Sequence, residues 1–285
     1  MNLNIQRIVP WLFLLACTQS GSCFAEEPGE SDVLTFGVVP QQAASKLARS
    51  WAPILTELGE RSGYQLVFKT APDIPTFEKR LFEGRYDFAY MNPYHYTVFG
   101  ENPGYRAIGK QKNKQIQGIL VVHKDSPIKD IHELDGQTLA FPAPAAFAAS
   151  VLPRNQLTAE GVQITPKYVS SHDSVYYAVE KGLYPAGGGI MRTLKILHPG
   201  LKNKLRILWT TPPFTPHAIA VHPRVPGDVV TRIQTEMYRM HEDEKGKRLL
   251  GSIRFLGISP AHHDEWNDVR ALNINMMNYS VEVEQ

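Results

Sequence analysis

The chain has 285 residues, of which 43% are hydrophobic and 20% charged, with a formal net charge of +2. That composition belongs to a folded globular protein with room for one large or two medium domains. So balanced a charge leaves no basic footprint for nucleic acid, and no apolar run beyond the N-terminus is long enough to span a bilayer.

Arg7 precedes an apolar run, Ile8 to Ala16, of signal-peptide rather than membrane-spanning length. Cys23 and Ala25 place small residues where a signal peptidase reads, which predicts a leader over residues 1–25 and soluble export. The alternative is Leu14–Leu15–Ala16–Cys17, which resembles a lipoprotein box with Cys17 as the lipidated residue. Cys17 and Cys23 are the only cysteines, so soluble export excludes a disulfide scaffold, a thiolate nucleophile and a cysteine metal site.

Glu26 to Asp32 is acidic and reads as a flexible leader. Val33 to Val39 is the first strand, stopped by Pro40. Ala43 to Gly63 has helical periodicity, with Leu47, Trp51, Ile54, Leu55 and Leu58 on one face and a stop at Ser62–Gly63. Tyr64 to Thr70 reads as a strand and Ile74 to Phe82 as a helix. Phe88 to Met91 is a short buried strand. Asn92 is a good N-cap and Pro93 suits the first helical position, so a sharp turn into a helix follows. This β-α-β-α-β-α order implies a parallel sheet with helices on both faces. Ligands bind at the mouths of such strand-to-helix turns. Tyr90, Met91, Asn92 and Tyr94 are therefore candidates, with His95 expected on the outer helix face.

Arg106 to Ile108 and Gln117 to His123 are further strands, followed by a polar, turn-rich stretch to Leu134. A lobe boundary placed there gives 26–122 plus 217–285 as one lobe and 123–216 as the other. In the second lobe, Thr138 to Phe141 and Pro166 to Val169 read as strands. Ala145 to Leu157 reads as a helix kinked at Pro153, and Ser171 caps a helix through Lys181. Gly187–Gly188–Gly189 reads as a stretch that lets backbone approach a ligand closely. A helix from Met191, a strand Leu205 to Trp209 and a stiff Thr210 to Pro216 follow. His217 to Val221 returns to the first lobe, and Pro226 to Leu249 reads as one long helix.

The order of elements, Phe36–Gly37–Val38–Val39–Pro40, Asp87–Phe88–Ala89–Tyr90, Val122–His123–Lys124–Asp125–Ser126–Pro127–Ile128 and Ser171–His172 together resemble a known family. It is that of the periplasmic solute-binding proteins for phosphonate, phosphite and phosphate that feed ABC importers. The resemblance covers about Leu34 to Leu256. It implies a two-lobed α/β periplasmic-binding-protein fold, each lobe a mostly parallel sheet flanked by helices, joined by a hinge of two crossing strands. It also implies a periplasmic, monomeric protein that closes on a small oxyanion and partners an ABC permease or a membrane sensor kinase. In relatives a Ser-Thr-Ser-like cluster at a second-lobe helix start holds the anion. Here those positions read Ala145–Ala146–Phe147–Ala148–Ala149–Ser150, which keeps backbone N–H groups and the helix dipole but loses hydroxyls. A smaller, less charged or partly apolar ligand is expected from that change.

The expected ligand contacts are Gln41, Tyr90, Met91, Asn92 and Tyr94 in the first lobe and Ala146, Phe147, Ala148, His172, Gly188 and Arg192 in the second. His217 and Thr215 lie where the chain re-crosses, and Gln42 sits beside Gln41. A nearby anion would raise the His172 pKa. Arg192 opposes the dipole of its helix and so calls for a partner. An enzyme built on His172 and Asp173 is the contrasting class, but no Gly-x-Ser-x-Gly elbow or phosphate-binding loop is present. A metal carrier using Tyr90, Tyr94, His95 and His172, with the His262–His263 pair as a further possibility, has no diagnostic ligand spacing. Neither catalysis nor a cofactor nor a metal is expected.

Overall fold

The computed structural model describes residues 33–274. The expected leader over 1–25, the lipidation position Cys17 and the acidic stretch 26–32 lie outside the described residues. In chain order, β1 (Val33–Val38), α1 (Ala44–Ser62), β2 (Gln65–Lys69), α2 (Ile74–Phe82), β3 (Phe88–Met91), α3 (Pro93–Phe99) and β4 (Arg106–Gln111) form the first run. The second comprises β5 (Ile119–His123), β6 (Thr138–Phe141), α4 (Leu152–Ala159), β7 (Thr165–Tyr168), α5 (His172–Glu180), β8 (Ala186–Gly189), α6 (Met191–Lys195), α7 (Pro199–Lys202) and β9 (Leu205–Thr210). The chain then returns through β10 (Ala218–Val221), α8 (Gly227–Arg239), α9 (Glu244–Ser252), β11 (Ile258–Ser259) and α10 (Asn267–Arg270).

Two mixed sheets result, ordered β11-β4-β10-β3-β1-β2 and β7-β6-β8-β5-β9. The expectation of mostly parallel sheets holds only for β2-β1-β3 and β7-β6-β8. β10 lies antiparallel between β3 and β4, and β5 antiparallel between β8 and β9. Both strands enter straight from a crossing between the sheets, so they run against the strands built by β-α-β crossovers. β5 also corrects the lobe boundary. It belongs to the second sheet, so the first crossing is 112–118 and not a point after Val122.

The crossings, 112–118 and 211–217, are hydrogen-bonded to each other. Ile116 and Phe214 exchange both backbone bonds at 2.8 Å. Gly118 N–H donates to the Thr211 hydroxyl, and Thr211 N–H to the Gly118 carbonyl, each at 3.0 Å. The tail behind α9 braces the second crossing. Thr215 N–H donates to the Asp268 carboxylate at 2.7 Å, the Thr215 hydroxyl to the Glu265 carbonyl at 2.7 Å, and Trp266 Nε1–H to the Pro216 carbonyl at 2.9 Å.

Each lobe has its own core: Phe36, Trp51, Leu55, Ile219 and Ile233 in the first, Leu120, Leu139, Phe141 and Leu157 in the second. A further cluster joins Met91, Tyr94 and Tyr96 of the first lobe to Phe147, Val151 and Leu152 of the second, with Phe214 of the crossing between them. Burying side chains of this size is worth roughly 1.5–3 kcal/mol each, so the cluster holds the lobes together.

Two helical expectations change. The long helix after Pro226 is two helices, because Asp243 takes extended backbone and its carboxylate accepts from Gly246 N–H at 2.9 Å, restarting the chain as α9. The helix expected from Ala145 begins as a π-turn over Phe147–Val151 and becomes α4 only at Leu152. Pro153 has no N–H to give the carbonyls one turn earlier, and its ring crowds them. Those carbonyls turn onto the second sheet: a Cβ on Gly118 would collide with the Ala148 oxygen, and one on Gly188 with the Ala149 oxygen.

Candidate ligand-binding site

The β3-α3 turn forms as its sequence dictates. Asn92 is buried, and its Oδ1 accepts from His95 N–H at 2.7 Å, capping α3. The Asn92 amide nitrogen lies 3.1 Å from His95 Nε2, which lies 2.9 Å from Glu78 Oε1. The asparagine's polar atoms therefore serve its own turn. His95 is not on an outer face: it is 0% exposed, held between Phe77 and Phe99 by the pairing of α2 with α3. Met91 and Tyr94 are buried in the cluster that joins the lobes.

Tyr90, at the same strand end, occupies a different wall. Its ring stands 4.9 Å from Trp51, 5.0 Å from His217 and 5.9 Å from Phe255. The Gln41 amide meets His217 Nε2 at 2.6 Å. Three residues chosen from the sequence thus come together: Gln41, Tyr90 and His217. Burial pushes His217 down to about 3, with the Lys114 ammonium acting in the same direction. It pushes the Tyr90 phenol up, against the pull of Arg192. Both rings are accordingly neutral near pH 7. If the Gln41 amide is the donor to Nε2, the His217 proton sits on Nδ1.

From the second lobe, Phe147 is 4% exposed and meets Phe214 edge-on, ring centres 6.5 Å apart. Ala148 and Tyr90 both lie against the joining cluster, one from each lobe. The N–H groups of Phe147, Ala148 and Ala149 open a helical segment and have no intrahelical acceptor by position. Ala146 precedes them as an N-cap without a side-chain bond.

The glycine run is not an open approach to a ligand. Gly187, Gly188 and Gly189 form the buried strand β8, and the space over Gly188 is filled by the Ala149 carbonyl and the Phe141 ring. His172 opens α5 behind its cap Ser171, whose hydroxyl accepts from Ser174 N–H at 3.0 Å. Burial pushes the His172 pKa down, with Asp173 opposing, and its Nδ1 is enclosed without a partner. Thr215 is spent on the tail, as described above, and Gln42 is half-buried. Arg192 is exposed at the start of α6, and burial pushes its pKa down.

Sequence reasoning assigned Trp51 only to a helix face and missed Arg254 and Phe255. Phe255 closes the Tyr90 wall, and Arg254 precedes it in left-handed backbone with φ 64°. Both follow the end of a helix, where no periodicity or motif marks a residue for a distant site. Among the described residues no three His, Cys, Asp or Glu side chains converge as a metal site, and no helix is long and apolar enough to cross a membrane.

Comparison with known proteins matches residues 36–266 to the model of the periplasmic substrate-binding protein of phosphonate ABC transporters. The phosphate-import protein PhnD of Mycolicibacterium smegmatis is 22% identical over 251 residues, spanning 78% of this chain and 77% of that protein. Among solved structures, PhnD1 of Prochlorococcus marinus in complex with methylphosphonate is 14% identical with a TM-score of 0.74, covering 85% of this chain and 97% of its own. A binding-protein component of an ABC phosphonate transporter from Pseudomonas aeruginosa is 15% identical with a TM-score of 0.71, covering 85% of each chain. The solved structures share the two-lobed α/β fold described above. The chain belongs to the family of periplasmic substrate-binding proteins of phosphonate ABC transporters.

Proposed function

We propose that this protein, in the periplasm, closes its lobes on a small phosphorus oxyanion and presents it to an ABC permease, with no chemistry of its own. The observation that carries this reading is the meeting of the two turns: Tyr90 from one lobe and Ala148 from the other lie against one shared cluster. Amide N–H groups at the start of the Phe147 segment supply donors and a favourable dipole end without any hydroxyl. Opposite them, neutral Tyr90, His217 and Gln41 can donate or accept without adding charge. The Mycolicibacterium relative is named for phosphate import and the Prochlorococcus structure holds methylphosphonate, which supports phosphorus oxyanions as the class.

Calorimetry of the purified protein with methylphosphonate, phosphate and phosphite tests it. Saturable binding of at least one, with a gain of about 2.7 kcal/mol in unfolding free energy at 100 times its dissociation constant, is expected. The ligand should be recovered unaltered. Absence of binding by all three overturns the reading.

A further inference from the structure

The bond between Gln41 and His217 is built across a strand. In the first sheet β3 lies between β1 and β10. Tyr90 of β3 pairs with Val38 of β1 on one side and with Ile219 of β10 on the other. Gln41 follows the end of β1 and His217 precedes the start of β10, so the two side chains meet over the end of the strand between them. The backbone at that corner is fixed. Val39 N–H donates to the Tyr90 carbonyl at 3.0 Å, and Gln41 N–H to the Val39 carbonyl at 2.8 Å. The imidazole stacks on the Tyr90 ring at 5.0 Å and 18°, and its Nε2 meets the Gln41 amide nitrogen at 2.6 Å. An amide nitrogen can only donate, so Nε2 is the acceptor. The neutral ring then carries its proton on Nδ1, because the bond made by one ring nitrogen decides the state of the other. Burial keeps the ring neutral, so its tautomer rather than its charge is what Gln41 controls.

We propose that Gln41 is a positioning residue that acts through His217, holding the imidazole as the Nδ1–H tautomer so that this wall offers the ligand a neutral N–H donor. The inference deepens the reading above, in which the ligand is a phosphorus oxyanion, and rests on it. It fixes the ligand atom met by His217 as an unprotonated oxygen, which accepts. An ammonium group, which only donates, would need the other tautomer. The physical reason lies in the lone pair. A hydrogen bond to a charged acceptor is stronger than one between neutral groups, whereas an Nδ1 without its proton would turn a lone pair towards the anion. The side chain that sets this tautomer must itself be a donor, a condition an amide meets and a carboxylate of the same length does not.

Nitrogen NMR of histidine-labelled protein at neutral pH, without ligand, tests the tautomer; the His217 signals are those lost in His217→Phe. The wild-type protein should carry the proton on Nδ1. In Gln41→Met, which keeps the length of the side chain but cannot donate, the Nδ1–H form should lose its dominance. Calorimetry with whichever of methylphosphonate, phosphate and phosphite binds tests the consequence. Gln41→Met should weaken binding about tenfold, the scale of one charge-assisted contact. Placed in His217→Phe it should have no further effect, since the residue it acts through is gone. A Gln41 that merely supports the fold would weaken both backgrounds alike and leave the tautomer unchanged. A wild-type proton on Nε2, or an equal loss in both backgrounds, overturns the inference and leaves the proposed function standing. Failure of all three compounds to bind overturns the proposed function and the ligand role of Gln41 together, and the NMR result tells that case apart.

Discussion

The imidazole of His217 lies nearly parallel to the phenol of Tyr90, ring centres 5.0 Å apart and planes 18° apart. The stack encloses the imidazole, and burial holds its pKa at about 3, far below the ordinary 6.5. The unfolded chain therefore takes up a proton here before the folded one does. Stability from this group is present above the unfolded value and is lost as the pH falls from about 6.5 towards 3. Urea unfolding between pH 6.5 and 5 should show it, above the range of most carboxylates. His217→Gln should flatten the slope by up to about 1.4 kcal/mol per pH unit. An unchanged slope would mean the imidazole is hydrated in the native state. His172 and His222, both pushed down by burial, leave a residual slope of the same sign.

Gly188 has no room for a methyl group, since the Ala149 carbonyl and the Phe141 ring already occupy that space. Gly188→Ala should cost about 2–3 kcal/mol in chemical denaturation. Gly251, in α9, has nothing near the position of its missing Cβ. Gly251→Ala should be neutral or stabilise by up to about 1 kcal/mol. Equal effects would refute the close approach of the π-turn to β8.

These two glycines show what the chain makes legible. Local signals carried well: Asn92 and Ser171 cap helices as expected, and α2 and β6 span the stretches read as helix and strand. Tyr90, Gln41 and His217 could be chosen because strand ends in such a sheet converge. What failed depends on partners distant in sequence. Three glycines in a row suit an open loop or a strand pressed against a carbonyl, and only the Pro153 turn decides between them. The antiparallel insertions β5 and β10 follow from the two crossings, which leave no local periodicity. Phe255 joins the Tyr90 wall from beyond the end of α9, against Trp51 and Tyr90, two partners far away in sequence.

Asp87 ties β3 to β1 and to the loop after β10. Its carboxylate accepts from Thr35 N–H at 2.8 Å, the Thr35 hydroxyl at 2.7 Å and Arg224 Nε at 2.8 Å. Burial would raise its pKa, but the bonds from Thr35 and Arg224 outweigh it and the net shift is downward. Stability from this group is accordingly present above the unfolded value near 3.8 and lost as the pH falls through the native one. Asp87→Ala should cost about 2–3 kcal/mol at pH 7, and the deficit should shrink below pH 4. A deficit that stays constant with pH would place the loss in packing instead.

Trp266 is 0% exposed, packs 4.5 Å from Tyr96 and donates to the Pro216 carbonyl. Trp266→Ala should cost about 3–5 kcal/mol. Trp266→Phe, which keeps most of the ring but loses the donor, should cost about 1 kcal/mol more than its volume change alone. Denaturation midpoints of the two variants check this.

The tail's grip on Thr215 and Pro216 makes the two crossings unequal. From Thr215 onward the second one is carried as a rigid spur of the lobe that holds α10. Any swing of the other lobe must then be absorbed upstream, over Thr211 to Phe214, where two adjacent prolines limit the torsions on offer. The C-terminal segment thus sets the position of the axle. A chain cut short ahead of Trp266 would keep both sheets yet turn about a looser and displaced pivot.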